Sequence, residues 1–262
     1  METRSEKFKL DNGLEVWLDQ KPIGYTGACL VIESGSGHDT KPEIAHLFEH
    51  LQGVAAKIYG EANSLNYTVR DATTHFERTK YSFDYFFPED TSNVVAHLAK
   101  VLTAPNLEVL TREREAVRNE LKPKQSVFTY FGEDLNRILY PNHVHLLKGI
   151  DARLESLDRI TKQDCIDFWD YNYNPDNAIL FLGGEIPSNL DEILEGLSVF
   201  TNRDVRKIER DVWPTEHELG KKIKLVEKIR IDPRTGIGMN FRIPLFPKDM
   251  TYEECIAYDV LK

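Results

Sequence analysis

The spacing of apolar residues changes period several times along the chain. Residues 7–33 read as strands. Asn12-Gly13 interrupts an alternating run as a tight hairpin turn, and Ala28-Cys29-Leu30-Val31-Ile32 follows as a further apolar run. The period then becomes helical. Ile44, Leu47, Phe48 and Leu51 repeat at i, i+3, i+4 and i+7 and form one apolar stripe. Two strands are predicted next, over 65–70 and 73–79, the second carrying His75. Residues 91–102 form an amphipathic helix with Val94, Val95, Leu98 and Val101 inward. Helices continue to about Tyr140 with a break at Phe131-Gly132. Residues 151–160 form a short helix or ordered loop, 161–170 a helix, 178–182 a strand and 190–199 a helix. Farther on, 214–219 read as a loop and 223–231 and 237–241 as strands. Thr251-Tyr252-Glu253-Glu254 opens a last helix that reaches Lys262 without a stop signal. Strand groups interrupted by helices predict an α+β fold, a mixed or antiparallel sheet with helices mainly on one face. The expected organisation is one main domain over 1–220, completed by 221–262.

The first helix carries the chemistry. His46-Leu47-Phe48-Glu49-His50 sets two imidazoles about 40° apart around the axis and about 6 Å apart along it. Side chains so placed can close on one zinc ion, with Glu49 beside them able to take a proton from a water. Glu43, His46, Glu49, His50 and Gly53 cluster opposite the apolar stripe, so burying the stripe leaves them free to line a cleft. Thr40-Lys41-Pro42-Glu43 reads as a capping box and Gly53 as a stop.

A catalytic zinc takes three protein ligands and keeps one position open. The segment Thr111-Arg112-Glu113-Arg114-Glu115-Ala116-Val117-Arg118-Asn119-Glu120-Leu121 reads as a strong helix. Glu113 and Glu120, seven apart, share a face with Ala116 and Val117, whereas Arg114, Glu115 and Arg118 read as solvated. Two carboxylates on an inward face need a cation. Zinc would supply one, and so would arginine or lysine partners on an ordinary charged helix.

Taken together, these motifs resemble the pitrilysin/insulinase family, which includes the mitochondrial processing peptidases. The inverted His-x-x-Glu-His order is the inverzincin signature, and the run from Glu113 to Glu120 resembles the family's Glu-Arg-x-x-Val-x-x-Glu segment about seventy residues downstream. The resemblance implies Zn2+ ligands His46, His50 and Glu120, Glu49 as general base, and Glu113 as a carboxylate that steadies the site from behind. It extends to the hairpin around Asn12-Gly13, to Ser34-Gly35-Ser36-Gly37, and to Phe168-Trp169-Asp170-Tyr171-Asn172-Tyr173-Asn174-Pro175 with its return strand. Two departures stand out. Glu43 occupies a position often glycine in the family, and Leu65-Asn66-Tyr67 replaces much of the family's Asn-Ala-Tyr-Thr on a substrate-pairing edge strand. The activity implied is a zinc-dependent endopeptidase acting through a metal-activated water on a peptide or small protein. Such enzymes pair two homologous halves, so the resemblance also implies a second homologous half from another chain or a longer protein, and hence an oligomer. The alternatives are a non-catalytic or regulatory subunit of a peptidase complex, and another zinc hydrolase on a related fold that relies on a catalytic cysteine.

Composition narrows the field further. A length of 262 residues with 41% hydrophobic content suffices for a sizeable core. A net charge of −10 argues against nucleic acid as a partner. No apolar run approaches the roughly 20 residues of a membrane span, and the N-terminal segment lacks a secretory apolar core, so the cytoplasm is the expected compartment. Cys29, Cys165 and Cys255 are widely spaced and fit buried small residues in a reducing environment. His38, His143 and His145 are expected in loops.

Overall fold

The computed structural model describes residues 3–55, 67–139 and 148–203. All fall in the first of two compact units, Met1–Glu216; the second, His217–Lys262, lies outside them. The elements expected beyond residue 213, the boundary at 220, Leu65, Asn66, His143, His145 and Cys255 therefore lie outside the described residues.

Six strands form one mixed sheet: β1 (Arg4–Lys9), β2 (Glu15–Gln20), β3 (Thr26–Ile32), β4 (Tyr67–Thr74), β5 (Thr79–Tyr85) and β6 (Ala178–Gly184), in the order β1-β2-β6-β3-β5-β4. β2 and β6 run parallel and every other pair is antiparallel. The hairpin between β1 and β2 turns at Gly13, whose φ of +87° suits a residue without Cβ. Alternate side chains point to one face. Val16 and Leu18, Ala28, Leu30 and Ile32, Tyr81, Phe83 and Tyr85, and Leu180 and Leu182 are all buried there. The buried tyrosines keep their hydroxyls paired. Tyr81 and Tyr173 share a hydrogen bond of 3.0 Å, and Tyr85 donates to Thr91 Oγ1 at 2.8 Å. This is the α+β architecture expected from the sequence.

Seven α-helices occur among the described residues: α1 (Ile44–Ala55), α2 (Thr91–Ala99), α3 (Leu110–Leu121), α4 (Val127–Leu139), α5 (Ile150–Leu157), α6 (Lys162–Asn172) and α7 (Leu190–Glu195). Ile44, Leu47, Phe48 and Leu51 of α1 are fully buried. Each such side chain contributes roughly 1.5–3 kcal/mol relative to exposure. In α2 the expected inward residues Val94, Val95 and Leu98 are buried, with Val101 in the 3-10 turn that follows. α6 begins at a capping box in which Thr161 and Asp164 satisfy each other's backbone N–H groups.

Several local expectations are corrected. β4 runs to Thr74 and β5 starts at Thr79, so His75 lies in the connection and not on a strand. α1 passes through Gly53 to Ala55, so that glycine does not stop it. α4 likewise passes through Gly132, and the break falls earlier, at the 3-10 turn Lys122–Lys124 that contains Pro123. A proline lacks the N–H that would extend α3, which outweighs the weak helix preference of an interior glycine. The start of α1 is organised by Asp39, not by a box built on Thr40. Its two carboxylate oxygens accept from Glu43 N at 2.9 Å and Ala45 N at 3.0 Å. Arg114 and Arg118 are not solvated either. Arg114 donates to Ile160 O at 2.7 Å, and Arg118 donates to Asp158 Oδ1 at 2.6 Å, holding α3 against α5 and the turn after it.

The capping role of Asp39 gives a direct expectation. Asp39→Ala leaves two N–H donors at the head of α1 without an acceptor and lowers stability by about 1–2 kcal/mol, read as a shift of the urea midpoint at unchanged slope. Thr40→Ala leaves the midpoint within error. Equal effects of the two substitutions would restore the box on Thr40.

Candidate metal centre

Two helices and one strand edge build the site. Packing the apolar stripe of α1 onto the sheet turns His46, Glu49 and His50 toward a cleft of about 550 Å³, lined also by Asp71, Ala72, Thr73 and Thr74 of β4 and by Glu120 of α3. The loop before α1 is pinned to the β4–β5 connection. Ser36 N donates to His75 O at 2.9 Å and Gly37 N to Phe76 O at 2.7 Å. Gly35 makes this approach possible, since a Cβ there would lie 2.1 Å from His75 O. These bonds fix the distance between α1 and β4, and so the width of the cleft.

α3 presents its carboxylates to α1. Glu113, Val117 and Leu121 are buried, whereas Glu120 is half-exposed at the mouth. Glu120 Oε2 lies 3.3 Å from His46 Nε2, and Oε1 lies 3.4 Å from His50 Nε2. The two imidazole rings stand 5.1 Å apart at 76° to each other. One donor atom from each of His46, His50 and Glu120 lies within 4.8 Å of the others, the one such grouping of metal-ligating residues found among the described residues. Ligands at roughly 2.0–2.2 Å in a tetrahedron are about 3.4 Å from one another, and the two nitrogen-to-carboxylate separations are close to that value.

Behind the ligands lies a shell of carboxylates. Glu113 Oε2 is 3.6 Å from His50 Nδ1, while its Oε1 accepts from Arg112 Nε at 2.6 Å. Glu43 Oε2 is 2.9 Å from His46 Nδ1, and its Oε1 accepts from Arg153 Nε of α5 at 2.5 Å. A carboxylate can only accept, so the Glu43 contact keeps a proton on His46 Nδ1 and leaves Nε2 as the nitrogen that a metal could take. Burial pushes the Glu43 carboxyl up, but the hydrogen bonds and charges of His46 and Arg153 outweigh it and hold the group below its ordinary range. His46 is the counterpart. Burial disfavours its cation, yet the Glu43 hydrogen bond and the charges of Glu43, Glu49 and Glu120 raise its pKa. A site that makes an imidazole more basic is a site with excess negative charge, suited to a divalent cation. Glu49 is buried beside the ligands and accepts from Thr74 Oγ1 at 2.7 Å.

The structure thus brings together His46, Glu49, His50, Glu113 and Glu120. Leu65 and Asn66 fall outside the described residues. Tyr67 is the first residue of β4, opposite Tyr85 and before a bulge. Among the side chains that are described, Asp71 to Thr74 of β4 line the cleft. β4 is the sheet's edge, and no strand pairs with its outer side among the described residues. Sequence reasoning missed Thr74 and Arg153. Nothing in their spacing ties them to the helix; only the strand register and the placement of α5 do. His38 sits in a 3-10 turn and accepts from Gly35 N at 3.1 Å, a loop role as expected.

Comparison with known proteins adds an independent line. Residues 17–140 match the family model described as Insulinase (Peptidase family M16). A protein of Schizosaccharomyces pombe named "Probable mitochondrial-processing peptidase subunit beta" is 26% identical over 195 residues, covering 70% of this chain and 42% of its own length. A Haemophilus influenzae protein named "Probable zinc protease PqqL" is 25% identical over 195 residues, covering 68% of this chain and 21% of its own. A solved structure titled as a peptidase M16 inactive domain from Pseudomonas fluorescens superposes with a TM-score of 0.65 at 18% identity, over 79% of this chain and 53% of that one. The chain therefore spans about half or less of the length of each.

The geometry sets a measurable outcome. The purified protein binds one equivalent of zinc or cobalt per chain, by elemental analysis after dialysis. His50→Ala and Glu120→Gln each lower the affinity by at least tenfold in a chelator competition. Wild-type occupancy in both variants would place the metal elsewhere.

Proposed function

Proceeding from the chain's membership of the insulinase family, peptidase family M16, we propose that it is the metal-bearing half of a zinc-dependent endopeptidase. The observation that carries this reading is the meeting of His46 Nε2 and His50 Nε2 on the single carboxylate of Glu120, with a buried glutamate beside them. Zinc, when bound by these three residues, lowers the pKa of a coordinated water and polarises a carbonyl.

The chain's own residues supply the rest. Glu49, adjacent to His50 on the cleft face of α1, takes a proton from the attacking water and returns it to the leaving amine. Its hydrogen bond from Thr74 holds the carboxylate toward the cleft and ties it to the strand edge. The edge of β4, unpaired among the described residues, offers backbone N–H and C=O groups to an extended peptide, which would lie across the ligands as an added strand. That mode needs no particular side chain at 65–67. The chain's share of its relatives' length fits a second homologous half that completes the cleft.

A non-catalytic subunit is the second reading, motivated by the inactive M16 domain that shares this fold. The complete set of ligands and base in this chain favours catalysis. A cysteine-assisted zinc hydrolase is disfavoured. Neither Cys29 nor Cys165 lines the cleft, and burial raises their thiols to about 11 and about 12, the reverse of what a nucleophile requires.

Assayed with its second half, the protein cleaves members of a fluorogenic peptide library, loses activity to a chelator and regains it with zinc. Glu49→Gln keeps the metal and loses about 10²–10⁴ in turnover. Wild-type turnover in that variant rules out the proton-transfer role. Metal uptake with no cleavage in any combination favours the non-catalytic subunit.

A further inference from the structure

Glu43 is the one non-glycine residue with positive φ among the described residues, at +73° immediately before α1. That region favours glycine, and a long acidic side chain there is strained. The side chain is also almost wholly buried, at 4% exposure, although it bears a carboxylate. Both unfavourable features are explained by its two partners. One oxygen faces His46 Nδ1 and the other Arg153 Nε. Arg153 is itself placed by the head of α5, where Ile150 N donates to Glu133 Oε1 of α4 at 2.5 Å.

We infer that Glu43 is a positioning residue that locks the tautomer and ring orientation of His46 for metal binding, with Arg153 steadying it from α5. The inference rests on the metal centre proposed above. A carboxylate on the far nitrogen of a ligating imidazole fixes which nitrogen binds and makes the ligand more basic. Glu113 stands in the corresponding place behind His50, at the longer distance of 3.6 Å and with its charge engaged by Arg112. The two ligands are therefore supported unequally, and Glu43 holds the tighter support. The left-handed backbone at 43 aims the side chain back along the first turn of α1 toward His46, three residues on.

Glycine at position 43 relieves the backbone strain, which makes Glu43→Gly a usable probe that still folds. In the metal-free protein the expected melting temperature and far-UV spectrum match wild type, while zinc affinity in a chelator competition falls about 10–100-fold. The visible absorption of the cobalt-loaded protein shifts as well. Glu43→Gln retains an acceptor for the Nδ1–H and restores most of the affinity. Arg153→Ala gives a smaller loss in the same direction. Wild-type zinc affinity and an unchanged cobalt spectrum in Glu43→Gly overturn this inference alone. A loss of affinity matched by collapse of the metal-free fold, with no rescue by glutamine, assigns Glu43 a purely structural role and also overturns it. Failure of the wild-type protein to take up zinc or cobalt overturns the metal centre together with it.

Discussion

Negative charge gathered in a partly buried cleft is the constraint on which this structure turns. Glu43, Glu49 and Glu113 are buried and Glu120 closes the mouth, all around two imidazoles. An isolated ionised carboxylate removed from water is costly, and the usual escape is protonation or pairing. Here Arg112 and Arg153 neutralise the outer oxygens of Glu113 and Glu43, so the remaining charge points inward at His46 and His50. A single divalent cation at the meeting point of three donors would satisfy what these arginines leave over. The raised pKa of His46 reflects the same excess.

The rest of the molecule makes that cluster possible. Hydrophobic burial of one stripe fixes the roll of α1, and α3 packs against that helix with its own Val117 and Leu121 buried. Arg114 and Arg118 secure the other side of α3 to the turn after α5. A roll of α3 by one residue, about 100°, would carry Glu120 away from both imidazoles. Side chains that read as surface charges in the sequence are thus part of what places Glu120 against His46 and His50. The edge strand is held to α1 by the close pass at Gly35 and by the Thr74–Glu49 hydrogen bond, so the position of Glu49 is tied to that of β4.

Legibility in the sequence followed the range of the interaction. The stripe of Ile44, Leu47, Phe48 and Leu51 is local and periodic, so the buried face of α1 and the opposite placement of His46, Glu49 and His50 could be read directly. The relation of Glu113 to Glu120 was equally local, but whether they met a metal or arginines depended on where α3 packs. In the structure Glu113 pairs with Arg112, and Glu120 faces the imidazoles. Turn chemistry was the weaker guide. Gly53 and Gly132 read as breaks yet sit inside helices, because tertiary packing outweighs a propensity cost of about 1 kcal/mol. Asp39 was overlooked as the organiser of α1 because it lies five residues before the helix and reaches it across a loop. Arg153 could not be found at all, since its tie to Glu43 joins positions 110 residues apart.

Position 43 shows how a departure from a family pattern can be read energetically. A left-handed conformation costs a non-glycine residue roughly 1–2 kcal/mol, and burying a carboxylate adds to that. Hydrogen bonds involving charged groups contribute about 1.5–3 kcal/mol each, and Glu43 makes two. The sum can balance or slightly exceed the cost, so the substitution is tolerable on stability grounds without being strongly favoured by them. The same carboxylate lies 2.9 Å from His46 Nδ1, so it also acts on that imidazole. Where glycine would leave His46 Nδ1 to water, glutamate couples it to Arg153 and so to α5. The orientation of the His46 imidazole then depends on α5 as well as α1, and a rearrangement of α5 would be felt at that ring.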